Sequence, residues 1–152
     1  MSLLKDTQDL QTTASKVGEF GETAAAEYLK RNGFRLVASN FKAPIGRNRK
    51  GVQVTGEIDL VALDGETICF IEVKTRTSDD FASPVSAVDV RKQRQITRAA
   101  RVYRKTFNLK HRLFRYDVVS IVLLGKKAPR IKLLKGFWNE SKFKKRVWSG
   151  EF

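Results

Sequence analysis

The stretch GEIDLVALDGETICFIEVKTR, Gly56–Arg76, decides the fold. Two apolar runs flank an Asp-Gly pair, Asp64-Gly65, the pattern of a β-hairpin closed by a two-residue turn. With Asp64 and Gly65 as the loop, Leu63 faces Glu66, Asp59 faces Phe70 and Glu57 faces Glu72. Opposite residues share a face, so Asp59, Glu72 and Lys74 point to one side. Asp59 and Glu72 are then diagonal neighbours, about 7–8 Å apart at Cα. The other side carries Ile58, Leu60, Ala62, Cys69, Ile71 and Val73 and belongs to a core. Beside the charges, the first side is apolar too, through Val61, Leu63, Ile68 and Phe70. Both faces are therefore covered near the turn, and the charges collect at the far end.

Two carboxylates this close repel unless a cation or a proton lies between them. Two readings fit. Lys74 and nearby arginines pair with Asp59 and Glu72 at a sheet end. Alternatively the carboxylates hold a divalent metal. Mg²⁺, or Mn²⁺ in its place, takes carboxylates plus waters and needs no histidine. Such an ion acidifies a bound water and neutralises a phosphodiester. Lys74 would then orient the attacking water or stabilise the extra charge of the transition state.

The surrounding chain fits an anionic substrate. Its 152 residues suffice for one domain. Lys and Arg number 30 against 16 Asp and Glu, a formal net charge of +14, so the first partner to expect is a nucleic acid. Cys69 is the sole cysteine, which excludes a disulfide, and reads as a small buried hydrophobe. His111 is the sole histidine, in a basic loop, so zinc and Ser-His chemistry have no support. The start lacks the apolar run of a signal peptide, and no stretch approaches the ~18 apolar residues of a membrane span. A cytoplasmic protein with no membrane partner is expected.

Around the hairpin, a helix over Lys16–Asn32 carries an apolar stripe of Val17, Phe20, Gly21, Ala24 and Tyr28. Phe34–Lys42 reads as a strand and Ala43–Thr55 as an irregular loop with Arg47, Arg49 and Lys50. Ser83-Pro84 fits a helix start, and Asp89 caps or continues into a long helix. That helix has an inner stripe of Val90, Gln93, Ile96, Ala100, Tyr103 and Phe107. Arg91, Arg94, Arg98, Arg101 and Lys105 form one of its faces with no glutamate to balance them. Like charges at this spacing cost helix stability, which a phosphate backbone would offset. Strands follow at Leu113–Leu124 and Arg130–Lys135. Asp117 beside Arg115 reads as a structural ion pair. The expected organisation is a flexible arm over 1–14, one domain over 15–136 and a basic aromatic tail over 137–152. The expected fold is α/β, a mixed central sheet flanked by helices.

GEIDL followed by FIEVKTR resembles the D…(D/E)xK signature of the PD-(D/E)xK nuclease superfamily, with Ile58 where that superfamily's proline stands. GEFGETAAAEYLKRNGF, GEIDLVA, FIEVKTR, AVDVRKQRQITRAARVY and RYDVVSI, in this order over Gly18–Ile121, resemble the YraN family, whose members are expected to be endonucleases. The Ala43–Thr55 loop looks longer than that family's usual connection. The resemblance implies a restriction-endonuclease-like three-layer fold, metal on Asp59 and Glu72, and Lys74 as the catalytic lysine. Holliday-junction resolvases share the superfamily fold and place a glutamate on the first helix at the metal, which implies Glu22; on residue pattern alone Glu22 is an ordinary border residue of an amphipathic helix. Glu57 is either a further ligand or a cap of the strand entry. Related nucleases use polar residues near Lys92 and Gln93 at the substrate, and Arg76, Arg91, Arg94 and Arg98, with Arg47, Arg49 and Lys50 of the loop, join them as nucleic-acid contacts. The expected function is a metal-dependent DNA endonuclease, on branched or junction DNA by resemblance to resolvases, with a homodimer suited to cutting two strands. The alternatives are a nucleic-acid-binding protein that keeps the fold without cutting and a basic RNA- or ribosome-associated protein.

Overall fold

The opening stretch does form a hairpin, closed one step later than Asp-Gly chemistry suggests. The computed structural model describes residues 2–77 and 88–143, with side chains described from Lys16 onward. β2 (Gln53–Asp64) pairs antiparallel with β3 (Thr67–Thr77) from Asp64↔Thr67 to Leu60↔Ile71. The loop is therefore Gly65-Glu66, not Asp64-Gly65. Gly65 takes a φ of 61° at the first loop position, where a type II′ turn wants glycine. Asp64 stays in the ladder because its carboxylate accepts hydrogen bonds from Arg115 at 3.0 Å and Lys135 at 3.1 Å. This register carries Asp59 towards Glu72 rather than Phe70, closer than the expected diagonal.

β1 (Arg35–Arg47) pairs with β2 down to Arg47↔Gln53. The expected loop over Ala43–Thr55 is thus mostly ladder, and the irregular part shrinks to the turn between Arg47 and Gln53. After β3 come α2 (Val90–Thr106), β4 (Phe114–Leu123), β5 (Arg130–Trp138) and a 3-10 turn over Glu140–Phe143. β4 lies parallel to β3, and β5 antiparallel to β4, so the sheet is mixed with order β1-β2-β3-β4-β5. The Ser83-Pro84 helix start falls outside the described residues. Asp89 caps α2, its side chain accepting from the Lys92 N–H at 2.8 Å.

Each helix covers one sheet face. α1 (Ser2–Arg31) sets Ala25 and Leu29 against Leu60, Ala62, Cys69, Ile71, Val119 and Ile121. α2 sets Ile96, Ala99, Ala100 and Tyr103 against Ile58, Val61, Phe70 and Val118. The first helix runs from Ser2 to Arg31 and so includes residues 2–14 of the expected arm. Its buried stripe is Gly21, Ala25 and Leu29, about one residue round from the expected one, and Phe20 is 52% exposed. The reason is steric. A Cβ at Gly21 would lie 1.9 Å from Thr75 Oγ1, so the helix docks by its smallest residue and turns its aromatics outward. On α2, Val90 and Phe107 are exposed, and Thr97 and Ala99 are buried in their place.

Candidate active site

The site forms where the β2–β3 ladder opens. Backbone pairing ends at Leu60↔Ile71. One step further, the Asp59 carboxylate takes over the role of the ladder, its Oδ2 accepting from the Val73 N–H at 2.8 Å. The opening has a local cause in both neighbouring strands. Ile58 and Val61 both reach the α2 core while Leu60 reaches the α1 core, so β2 skips a step at Asp59 and Leu60. Across from them Asn40 sits at a φ of 52°, a conformation that asparagine tolerates better than most side chains. The expected placement of Ile58 with Leu60 and Ala62 is corrected accordingly. Glu57 moves as well: it falls on the α1 side, where its charge acts on Glu22, and not beside Glu72.

Glu72 points to the α2 side, in step with Phe70, and is 7% exposed. Its carboxyl is pushed up to about 8, first by burial and then by the Asp59 charge, and a hydrogen bond with Asp59 that only the protonated form can donate adds to this. Lys92 and Lys74 pull it back down. Lys92 reaches over from the first turn of α2, its Nζ 3.7 Å from Glu72 Oε1. Oε2 is buried with no hydrogen-bond partner among the described residues. Lys74 follows two residues along the same strand face and is exposed, so its ammonium is free to meet a substrate.

Glu22 approaches from the other side of the sheet. It lines a groove of about 480 Å³ between α1 and β1, together with Glu19, Ser39, Asn40 and Leu60. Its carboxyl is raised by burial and by the Asp59 charge, while a hydrogen bond with Asn40 opposes both. Glu22 therefore shares a field with Asp59. Among the described residues, however, no three His, Cys, Asp or Glu side chains stand close enough to hold a metal ion by themselves. The donor set that fits an ion is the Asp59–Glu72 pair. It has mutual repulsion to relieve, an orphaned buried oxygen to satisfy, and an ammonium already drawn to its edge.

The basic residues sort into distinct roles. Arg91, Arg94, Arg98, Arg101 and Lys105 are all exposed on one face of α2, as expected. The face is not unbalanced throughout: Glu140, from the 3-10 turn, pairs with Arg101 and also with Arg104 at 3.0 Å. Arg94 lies over the Phe143 ring at 5.7 Å. Gln93, expected at the substrate, is buried; its Nε2 donates to the Val88 carbonyl at 2.9 Å and its Oε1 accepts from Lys142 at 3.1 Å. It fastens the start of α2 and is unavailable to a ligand. Arg76 is likewise buried and engaged within the fold. Arg47 donates to the Gly51 carbonyl at 2.8 Å, whereas Arg49 and Lys50 point no bond inward among the described residues.

Asp117 is structural, as its neighbour implied. It is fully buried, accepts from Arg115 Nε at 2.7 Å and Nη2 at 2.8 Å, and also from the Gly136 N–H at 2.9 Å. Cys69 is free and buried, its thiol pushed up to about 12 by burial. The sequence reading missed Asn40 and Glu140. Asn40 carried a signal, since an asparagine inside a run of strand formers marks a break in the strand. Glu140 carried none, because its partners are 36 and 39 residues away.

No helix among the described residues is long and apolar enough to cross a membrane. Residues 21–121, which hold α1's docking stripe, the hairpin, α2 and most of β4, match the family described as "Uncharacterised protein family UPF0102". A UPF0102 protein of Solibacter usitatus is 40% identical over 119 residues, covering 78% of this chain and 83% of its own. The UPF0102 protein TTE1452 of Caldanaerobacter subterraneus is 41% identical over 117 residues, 77% of this chain and 88% of its own. That of Chlorobium limicola is 37% identical over 131 residues, 82% and 94%. The solved structure of SSO0001 aligns at a TM-score of 0.46 with 17% identity, over 93% of this chain and 62% of that one, too distant to carry an argument. The matched span contains Glu22, Asp59, Glu72, Lys74 and Lys92, and on this coverage and identity the chain belongs to UPF0102, the family also called YraN.

Proposed function

We propose that this protein is a metal-dependent endonuclease that hydrolyses phosphodiester bonds in DNA, built on a restriction-endonuclease-like fold. The observation that carries the reading is the Asp59–Glu72 pair, two carboxylates brought together where the ladder opens, one of them buried, raised and with an unpartnered oxygen. A site for binding alone has no use for such a pair facing a polyanion. Asp59 and Glu72 would hold Mg²⁺, or Mn²⁺, which when bound would neutralise phosphate charge and acidify a water. The chain's own groups supply the rest. Lys74, exposed beside Glu72, stabilises charge on the phosphate as the transition state forms. Lys92, its Nζ 3.7 Å from Glu72 Oε1, opposes part of the rise that burial and Asp59 impose on Glu72. Glu22, raised in part by the Asp59 charge, faces the α1 groove and assists at a distance. Arg91, Arg94 and Arg98 offer the backbone of the nucleic acid an exposed basic face.

One observation favours a rival, a nucleic-acid-binding protein that keeps the fold and does not cut: Glu22 does not complete a three-carboxylate group with Asp59 and Glu72. Cleavage separates the two. Linear, flapped and four-way DNA are incubated with Mg²⁺ or Mn²⁺ and with wild type or Lys74→Ala. The proposal expects metal-dependent cutting by wild type and a loss of about 10²–10³-fold in Lys74→Ala. Equal cutting by both proteins sinks the site assignment. Binding on every substrate without cutting establishes the rival. Cutting only of the four-way form would assign junction DNA as the substrate.

A further inference from the structure

The β1–β2 hairpin extends well past what the core requires. Gly56 lies beneath α2, where a Cβ would meet the Gln95 carbonyl oxygen at 3.0 Å and Ala99 Cβ at 3.2 Å. Beyond Gly56 and its partner Ala43, the ladder continues to Arg47↔Gln53, and every residue from Gly46 to Gln53 is exposed. This end is not held by apolar burial. It is held by its own hydrogen bonds. The Asn48 side chain accepts from the Lys50 N–H at 2.9 Å and the Val52 N–H at 3.0 Å. The Asn48 N–H donates to the Val52 carbonyl and the Gly51 N–H to the Asn48 carbonyl, both at 2.9 Å. Arg47 closes the turn on the Gly51 carbonyl, and Gly51 supplies a φ of 75° that other residues resist. A connection alone could have been made with two residues at the Ala43–Gly56 level. Instead the chain spends thirteen residues over 43–55 on a braced ribbon whose remaining cations, Arg49 and Lys50, have no partner among the described residues.

The ribbon lies at the end of the sheet that carries the active site. α2 meets β2 at Gly56 through Gln95 and Ala99, and further along β2 its Tyr103 meets Phe41, the partner of Ile58, at 5.0 Å between ring centres. The helix therefore runs parallel to β2, and the ribbon tip lies at the end where α2 begins. Arg91 and Arg94 are exposed there, and Lys92 touches Glu72.

We infer that the β1–β2 ribbon enters the major groove of a B-form DNA duplex, with Arg49 and Lys50 on its phosphates, while Arg91 and Arg94 of α2 hold the backbone nearby. This rests on the nucleic-acid reading above and adds to it the form of the substrate. A two-stranded ribbon, its strands about 4.8 Å apart, fits the ~12 Å major groove of B-DNA. The deep, narrow major groove of A-form RNA does not admit it. The ribbon thus selects a DNA duplex over an RNA duplex, which the charge of the chain alone does not.

Binding without metal tests this separately from cleavage. Fluorescence anisotropy of a labelled DNA duplex and an RNA duplex of the same sequence is measured in EDTA across a salt series, for wild type and for Arg49→Ala/Lys50→Ala. The control is Arg35→Ala/Lys110→Ala, which removes two exposed cations at the opposite end of the sheet. All four side chains are exposed, and matching thermal melts confirm intact folds. The expected result is a roughly tenfold loss on DNA for the ribbon variant, with the log–log salt slope smaller by about 2, the share of two phosphate contacts. RNA binding and the control stay unchanged. No loss on DNA, or an equal loss on DNA and RNA, overturns the inference. Wild type that binds DNA through the ribbon yet fails to cut it with Mg²⁺ supports this inference while removing the nuclease.

Discussion

The buried carboxyl of Glu72 makes metal-free stability depend on pH with a predictable sign. Its ordinary value is 4.5, and the fold pushes it up to about 8. A group raised by folding binds its proton more tightly in the native state. Its favourable contribution is complete below about pH 4.5 and is lost as pH rises through about 8. At about 1.36 kcal/mol per pH unit, the interval corresponds to at most about 5 kcal/mol. Relaxation of the surroundings and water reaching the buried pair reduce this, so about 2–4 kcal/mol is expected. Glu72→Gln keeps the shape and the hydrogen-bond donor while removing the titration. The assay is urea unfolding in EDTA at pH 5, 7 and 9 for both proteins. Wild type should lose about 2–4 kcal/mol relative to Glu72→Gln between pH 5 and pH 9, most of it before pH 8. Mg²⁺ should restore that loss at pH 9 in wild type and leave Glu72→Gln unmoved, because a cation favours the ionised pair. Parallel stability curves in EDTA would refute the buried, raised carboxyl. A wild type that gains on the variant as pH rises would mean that Glu72 is held ionised by Lys92.

Other perturbations separate scaffold from site. Asp117→Asn removes the buried partner of Arg115 and should cost about 3–5 kcal/mol by denaturant unfolding, with no change in Mg²⁺ stabilisation once conditions keep the variant folded. Gly21→Ala drives a methyl into Thr75 Oγ1 and should cost about 1–3 kcal/mol in thermal melts, while Thr75→Ser, which keeps that oxygen, should not rescue it. Glu140→Gln frees Arg101 and Arg104 and should strengthen DNA binding with a steeper salt slope, read by anisotropy; an unchanged slope would mean that these arginines do not reach phosphates.

The hairpin was legible because strand alternation and turn residues are local signals. Its faces survived a one-step error in the turn, since moving the loop from Asp64-Gly65 to Gly65-Glu66 preserves which residues alternate together. What failed was everything set by distant partners. Asp64 prefers the ladder because Arg115 and Lys135 hold it there. Glu57 left Glu72 because the later turn re-pairs the two strands, and the break in alternation at Asp59 and Leu60 turns it to the α1 side, which no count from the turn can anticipate. The α1 stripe was misjudged by apolarity, because the docking surface was chosen by the smallness of Gly21 against Thr75. Gln93 read as a substrate residue for want of any sign of Lys142.

The same break in the alternation of β2 links these differences to the site. An unbroken β2–β3 ladder would have satisfied the Val73 N–H with a backbone carbonyl and left Asp59 to project from one face. The skip at Asp59 and Leu60 frees that N–H, and the Asp59 carboxylate takes it at 2.8 Å. The carboxylate is thereby fixed close to the level of the sheet, where its charge reaches Glu72 on the α2 side and Glu22 on the α1 side at once. Both neighbours are raised by it, and for Glu72 the nearby ammoniums of Lys92 and Lys74 offset only part of that. A scaffold selected for stability alone would replace Glu72 with an apolar residue, since Phe70 beside it is fully buried on the same face. The buried carboxyl, its orphaned oxygen and the regular register up to Leu60 are features that the proposed metal site accounts for and a purely structural role does not.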